Sequence, residues 1–179
     1  MEAKYLFYIF LLIIIACTNQ NIEQNKTQQT EMVEMKLTST AFTHNGQIPS
    51  EYACDGSDLS PPLTISDVPA NAKSLVLISD DPDAPVGTWD HWIVFNIPPS
   101  TKEITKGTEP KGTAGKNSWG RTGYGGPCPP SGTHRYFFKL YALDTTLDLP
   151  AGSTKKQIEE AMQNNILVKA ELIGLYKRV

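Results

Sequence analysis

Thirteen glycines and thirteen prolines, all beyond Met35, cut this chain into short apolar runs separated by turn chemistry. That punctuation leaves little room for long helices. Lys36 to Phe42, Leu63 to Val68, Ser74 to Ser79, His91 to Ile97, His134 to Leu143 and Ile166 to Tyr176 read as strands, through two-residue alternation or a continuous apolar stretch. One segment has a different period. Lys155 to Asn164 places Ile158, Ala161 and Met162 at helical spacing behind a Thr154-x-x-Gln157 capping box, and is expected to pack on an edge of the sheet. Many short strands and one late helix predict a mainly β, mainly antiparallel fold. Residues 98 to 133 carry Gly107, Gly112, Gly115, Gly120, Gly123, Gly125 and Gly126 with no sustained periodicity. A long irregular stretch in a compact domain is uncommon unless it builds a site.

The first residues have another character. Met1-Glu2-Ala3-Lys4 opens into an apolar run from Tyr5 to Ala16, followed by Cys17. As a helix that run covers roughly 18 Å, short of the roughly 30 Å of a bilayer core. It has the shape of an export signal. Ile14-Ile15-Ala16-Cys17 is similar to a bacterial lipobox, so residues 1–16 are expected to be a lipoprotein signal, with Cys17 carrying the lipid and tethering the protein to a membrane. A plain secretory signal that happens to end near a cysteine is the alternative. Residues 17–34, rich in Asn, Gln, Thr and Glu, bury too little to repay ordering and read as a flexible spacer. The domain is expected from 35 to 179, facing the periplasm or the cell surface.

With 40% hydrophobic residues over its 179 positions, the chain can build one ordinary core. The net charge of −3 is unchanged by loss of residues 1–16, which hold one lysine and one glutamate. With no basic stretch and no aromatic–basic interleaving, nucleic-acid binding is excluded. Two further cysteines, Cys54 and Cys128, lie in loop-like flanks. An exported compartment permits a disulfide between them, and two separate buried thiols are the other reading.

The densest chemistry is Asp80-Asp81-Pro82-Asp83-Ala84-Pro85, followed by Trp89-Asp90-His91-Trp92 and later by Gly132-Thr133-His134-Arg135-Tyr136. The prolines fix φ and bias their neighbours toward extended backbone, so Asp81 and Asp83 become aimed acceptors. Asp83 is read as a structural acceptor for backbone N–H groups of the turn. Strict alternation puts His134 and Tyr136 on one face of their strand with Arg135 opposite, where it is expected to pair with a buried carboxylate. The same rule puts His91 with Ile93 and Phe95, opposite Trp92. The glycines from Gly120 to Gly126 are not a nucleotide loop, since no Lys-Ser/Thr follows and Pro127 interrupts.

These pieces, with Cys54-Asp55-Gly56, Ser60-Pro61-Pro62-Leu63, Tyr124-Gly125-Gly126-Pro127-Cys128-Pro129-Pro130 and Leu140-Tyr141-Ala142-Leu143, occur in an order that resembles the phosphatidylethanolamine-binding protein family. The likeness is to its bacterial Raf-kinase-inhibitor-like branch (YbhB/YbcL type), from about residue 36 to the end. The resemblance implies an antiparallel β-sandwich with one or two short helices, one near the C-terminus, and a small anion-accepting cavity. By position it places Asp81, His91, His134 and Tyr136 in the pocket, with Pro85, Pro129 and Pro130 as walls, and implies neither metal nor cofactor. Two imidazoles and a phenol suit a phosphate, a phospholipid head group or a carboxylate, and Asp81 suits an ammonium or a hydroxyl. Val86-Gly87-Thr88-Trp89-Asp90 is shorter than the charged loop of eukaryotic members, a departure that bears on their kinase-binding role.

The expected function is therefore an exported, lipid-tethered binding module for a small anion, not an enzyme. Two alternatives stand beside it: a kinase or peptidase inhibitor acting by contact with a protein partner, and a hydrolase using His91 and His134 as acid and base.

Overall fold

The computed structural model describes residues Glu34 to Arg178. The expected signal, Cys17 and the spacer lie outside the described residues. Among the described residues nine strands form two sheets. β1 (Lys36–Thr38), β3 (Leu63–Ser66) and β6 (Glu103–Ile104) make a three-stranded sheet in the order β1-β3-β6. The larger sheet has the order β2-β9-β8-β4-β5-β7. Its strands are β2 (Gly46–Gln47), β4 (Ser74–Asp81), β5 (Trp89–Ile97), β7 (Thr113–Ala114), β8 (His134–Leu143) and β9 (Ile166–Tyr176). A single turn of 3-10 helix covers Ser50–Tyr52, and one α-helix, α1, covers Lys155–Met162.

The sheets pack face to face around Leu37, Leu63, Ile65 and Ile104 from the small sheet, and Leu77, Trp92, Phe138, Leu140 and Leu172 from the large one. The architecture is the expected sandwich. β4 is buried at every position because both its faces are covered, which explains its continuous apolar run. On the outer face Val76, Ile78, Ile93, Phe95 and Leu143 meet Ile158 and Met162 of α1. The helix thus lies on the face of the sheet, not on its edge. Its two inward residues fit no edge, but fully burying each against that face stabilises by roughly 1.5–3 kcal/mol. The capping box forms as read: Thr154 N–H donates to Gln157 Oε1 at 2.9 Å, and Gln157 N–H to Thr154 Oγ1 at 3.4 Å.

β1 stops at Thr38 because the Ser39 hydroxyl accepts from Ala41 N–H and donates to the Pro62 carbonyl, turning the chain away. Among the described strands one pairing is not antiparallel: β2 runs parallel to β9, Gly46 beside Gly174. Phe42 and Ile48 press on Gly174, where a Cβ would collide with both side chains. The Asn45-Gly46 turn, with Asn45 at φ 61°, brings them there.

The register of β4 on β5 slips twice. Ser79 is opposite Trp92 while Asp80 is opposite Asp90, so His91 is an extra residue. Bulges of this kind re-aim a side chain. His91 leaves the face that strict alternation assigns it and turns to the Trp92 side, where its ring stands edge-on to Tyr136 at 5.2 Å.

Candidate functional site

At one end of the sandwich a hollow of about 260 Å³ opens between the end of β4, the start of β5, the start of β8 and the irregular segment. Asp81, His91 and His134 line it, with Pro85, Pro130, Trp89, Trp119, Val86 and Cys128 around them. Three of the four polar residues singled out in the sequence thus reach one wall. The fourth lies deeper: Tyr136 is 1% exposed and does not line the hollow. It sits edge-on to His91 and stacks with His134 at 6.5 Å. Pro129 does not line it either. In the extended Cys128-Pro129-Pro130 run alternate residues face opposite ways, so Pro129 is buried while its neighbours are exposed.

Each imidazole is held by its Nδ1. His134 Nδ1 is 2.7 Å from Asp81 Oδ2, both side chains more than nine-tenths buried. Asp81 Oδ1 accepts the Asp83 N–H at 2.8 Å. Both carboxylate oxygens are therefore engaged, and Asp81 orients His134 rather than waiting for an ammonium. Asp83 is an acceptor, as read, but not for its own turn: it takes the backbone N–H and the guanidinium of Arg135 at 2.9 and 2.6 Å. Arg135 holds the Asp83 carboxyl down to about 2.

His91 Nδ1 is 2.7 Å from the Gly125 carbonyl, and Gly125 N–H donates back to the His91 carbonyl at 3.1 Å. A carbonyl only accepts, so the proton is on Nδ1 and Nε2 is left to meet a ligand. Burial pushes the His91 pKa below its usual value despite Asp81, Asp80 and Asp90 nearby. Tyr136 Oη is buried with no hydrogen-bond partner among the described residues. Desolvation, then the neighbouring Asp81, pushes that phenol's pKa strongly upward, so it keeps its proton and remains a donor.

The irregular segment builds the mouth. Asn117, 4% exposed, accepts from the N–H groups of Trp119 and Arg121 and donates to the Gly123 carbonyl, shaping a loop that sets Trp119 over His91 at 5.1 Å and against Trp89 at 5.4 Å. A Cβ on Gly125 would enter the Trp119 ring. Neither Asn117 nor Trp119 stood out in the sequence, and the crowding of glycines around them was the available signal. Cys54 and Cys128 are bridged, Cα to Cα 5.4 Å, fastening the Pro127–Pro130 wall to the loop after the 3-10 turn. Behind the wall, on the α1 side, Asp80 is fully buried between Lys139 at 2.8 Å and Lys155 at 2.6 Å. Lys155 also forms an ion pair with Asp90 at 3.1 Å, off the hydrogen-bonding direction. Among the described residues no group of three or more His, Cys, Asp or Glu is placed to hold a metal ion.

Residues 38–177 match the family profile described as phosphatidylethanolamine-binding protein. The chain belongs to the phosphatidylethanolamine-binding protein family. A curated relative from Methanothermobacter thermautotrophicus, named UPF0098 protein, is 53% identical across 80% of this chain and 99% of its own length. In this family the same fold is solved for a homologue from Chlamydia trachomatis, 46% identical with a TM-score of 0.80, over 82% of this chain and 99% of that one. Escherichia coli YbcL, described as a member of the mammalian family, is 31% identical with a TM-score of 0.76, over 82% and 99%.

Proposed function

We propose that this member of the phosphatidylethanolamine-binding protein family is an oxyanion-binding module, exported and held at a membrane by lipid on Cys17. The observation that carries the pocket is Tyr136: a buried hydroxyl with no partner, beneath a hollow lined by His91 and His134. A buried donor left unmade costs about 1–3 kcal/mol, and an oxygen of a phosphate or carboxylate ligand would recover it. His134, when protonated, has one N–H on Asp81 and a second at Nε2 for the ligand. Titrating inorganic phosphate, acetate and phosphoethanolamine is expected to move the ring resonances of both histidines. Spectra unmoved by all three would reject the pocket. The lipid rests on the apolar run ending at Cys17, and the mass of the mature N-terminus checks it.

A binding role is favoured over hydrolysis by the lining. Asp81–His134 has the form of an oriented base, but none of the described lining residues is a serine, threonine or free thiol, Cys128 being bridged. Docking of a protein partner is the second reading. Val86, 78% exposed, and Trp119, 43% exposed, stand at the mouth and supply the apolar contact it needs.

A further inference from the structure

The Cys54–Cys128 bridge is open to solvent. Cys54 to Asp58 are all exposed. Cys128 is exposed as well, between the buried Pro127 and Pro129, and it lines the hollow beside Pro130. Thiol–disulfide exchange depends on access, so an external thiolate can reach this pair without unfolding the sandwich.

What the bridge holds divides at Cys128. Before it, hydrogen bonds tie the two loops together independently of the sulfurs. Cys54 N–H donates to the Pro127 carbonyl at 3.0 Å, Gly126 N–H to Asp58 Oδ1 at 2.6 Å, and Tyr124 Oη to the Tyr52 carbonyl at 2.8 Å. Asp55 accepts from Tyr176 Oη at 3.0 Å and Arg178 Nε at 2.9 Å, which fixes the Cys54 loop to the end of β9 and the chain beyond it. After Cys128 the hold is of another kind. Pro129 and Pro130 have no N–H, Pro130 to Thr133 are exposed, and among the described residues no backbone–backbone hydrogen bond reaches positions 128–133. This stretch is fastened by the bridge and by the burial of Pro129, and it runs directly into His134 on the wall of the hollow.

We propose that the bridge is a redox clasp on the wall of the hollow, opened by a dithiol reductant. A thiolate of the dithiol attacks Cys54 Sγ, in the exposed run; the S–S bond breaks, and Cys128 leaves as a thiolate that takes a proton from water. The second thiolate of the dithiol attacks the mixed disulfide and displaces Cys54, which is protonated in turn. The protein pair has then gained two electrons and two protons, and the reductant has become a disulfide. Opening is local and reversible. The hydrogen bonds between the loops keep the two cysteines, 5.4 Å apart at Cα, within bridging reach. Cys128 to Thr133 loosen, and the hollow loses a firm wall beside His134. The clasp acts whatever fills the hollow and does not rest on the oxyanion reading above.

The test treats the full chain with dithiothreitol in native buffer, traps thiols with iodoacetamide, reads the Cys54 and Cys128 peptides by mass, and follows the fold by NMR. Opening is expected at a rate within about tenfold of that in denaturing urea, because access sets the rate. A greater slowing in native buffer would put the bridge behind the fold and overturn the inference. With the bridge open, the amide signals of Ser131, Gly132 and Thr133 and the ring signals of His134 are expected to move, while the amide signals of Lys139 to Leu143 stay. Adding oxidised glutathione should restore the first spectrum. His134 signals that stay in place, or a spectrum that collapses throughout, overturn the clasp. Brief exposure to reduced glutathione is expected to leave its adduct on Cys54, and an adduct confined to Cys128 overturns the proposed attack. Cys54→Ser/Cys128→Ser should show the open positions and ignore the reductant; a folded variant with the bridged positions overturns the inference. If that variant does not fold, the reduced, unsubstituted chain decides.

Discussion

Asp80 and Asp81 are neighbours in the chain that serve opposite faces of β4: Asp81 takes the His134 imidazole in the hollow, while Asp80 takes Lys139 and Lys155 beneath α1. Lys155 begins the helix, where the dipole disfavours a cation and the first turn holds no acid. Burial also works against its charge, yet Asp80 and Asp90 outweigh burial and its pKa is raised. The strand end that presents Asp81 is thereby pinned from behind.

Asp80→Asn should leave two lysines facing a neutral group and cost about 3 kcal/mol, toward the low end for a broken buried pair because both ammoniums can still reach water. The urea midpoint measures this. Replacing Asp80, Lys139 and Lys155 together by apolar residues should restore most of the loss, and a single-variant cost under about 1 kcal/mol would reject the role given to Asp80.

The buried, neutral His91 makes stability depend on pH with a definite sign. Its folded pKa is depressed, so the unfolded state binds more protons on acidification. Its contribution is fully present above the unfolded value of about 6.5 and is lost as pH falls through the folded one. His91→Phe should flatten that part of the stability profile. An unchanged profile, or imidazole nitrogen shifts showing a charged ring at pH about 7, would contradict the burial argument.

Asp83 acts in a lower window. With its folded carboxyl at about 2, its contribution is present above the ordinary value of about 3.9 and is lost as pH falls toward about 2. Arg135→Met should move acid unfolding to higher pH. The shift should be small, because the Arg135 side chain is half exposed and solvent screens the pair. Circular dichroism against pH reads it, and an identical midpoint would mean the pair contributes nothing.

Reducing the Cys54–Cys128 bridge frees a loop spanned by a sequence separation of 74, a loss of about 2–5 kcal/mol. Denaturant unfolding with and without reductant gives the difference. The Cys54→Ser/Cys128→Ser double variant should match the reduced protein and no longer respond to reductant.

β8 and β9 were legible to the residue because ten and eleven alternating or apolar positions leave no other period. Asp81 ends one apolar run while His91 and His134 begin two others, which puts all three at one end of an antiparallel sheet, and the resemblance to the family places them in one pocket. The face of His91 was not legible, since a bulge is a relation between two strands and one strand's alternation does not contain it. The Asp80 network escaped for a similar reason: Lys139 and Lys155 come from 59 and 75 residues away. The resemblance implies Pro129 in the wall with Pro130, but an extended backbone aims only every second residue at one cavity.

The parallel seam between β2 and β9 has a consequence for biogenesis. Gly46 and Gln47 find their partners only at Gly174 and Leu175, so a strand made early waits for one made late. The sheet's outer border cannot zip until β9 has been made, and contacts this distant in sequence are slow to form. Until Ile166–Tyr176 has been synthesised the nascent chain stays short of its native state, and within that interval a chaperone can still engage it unfolded.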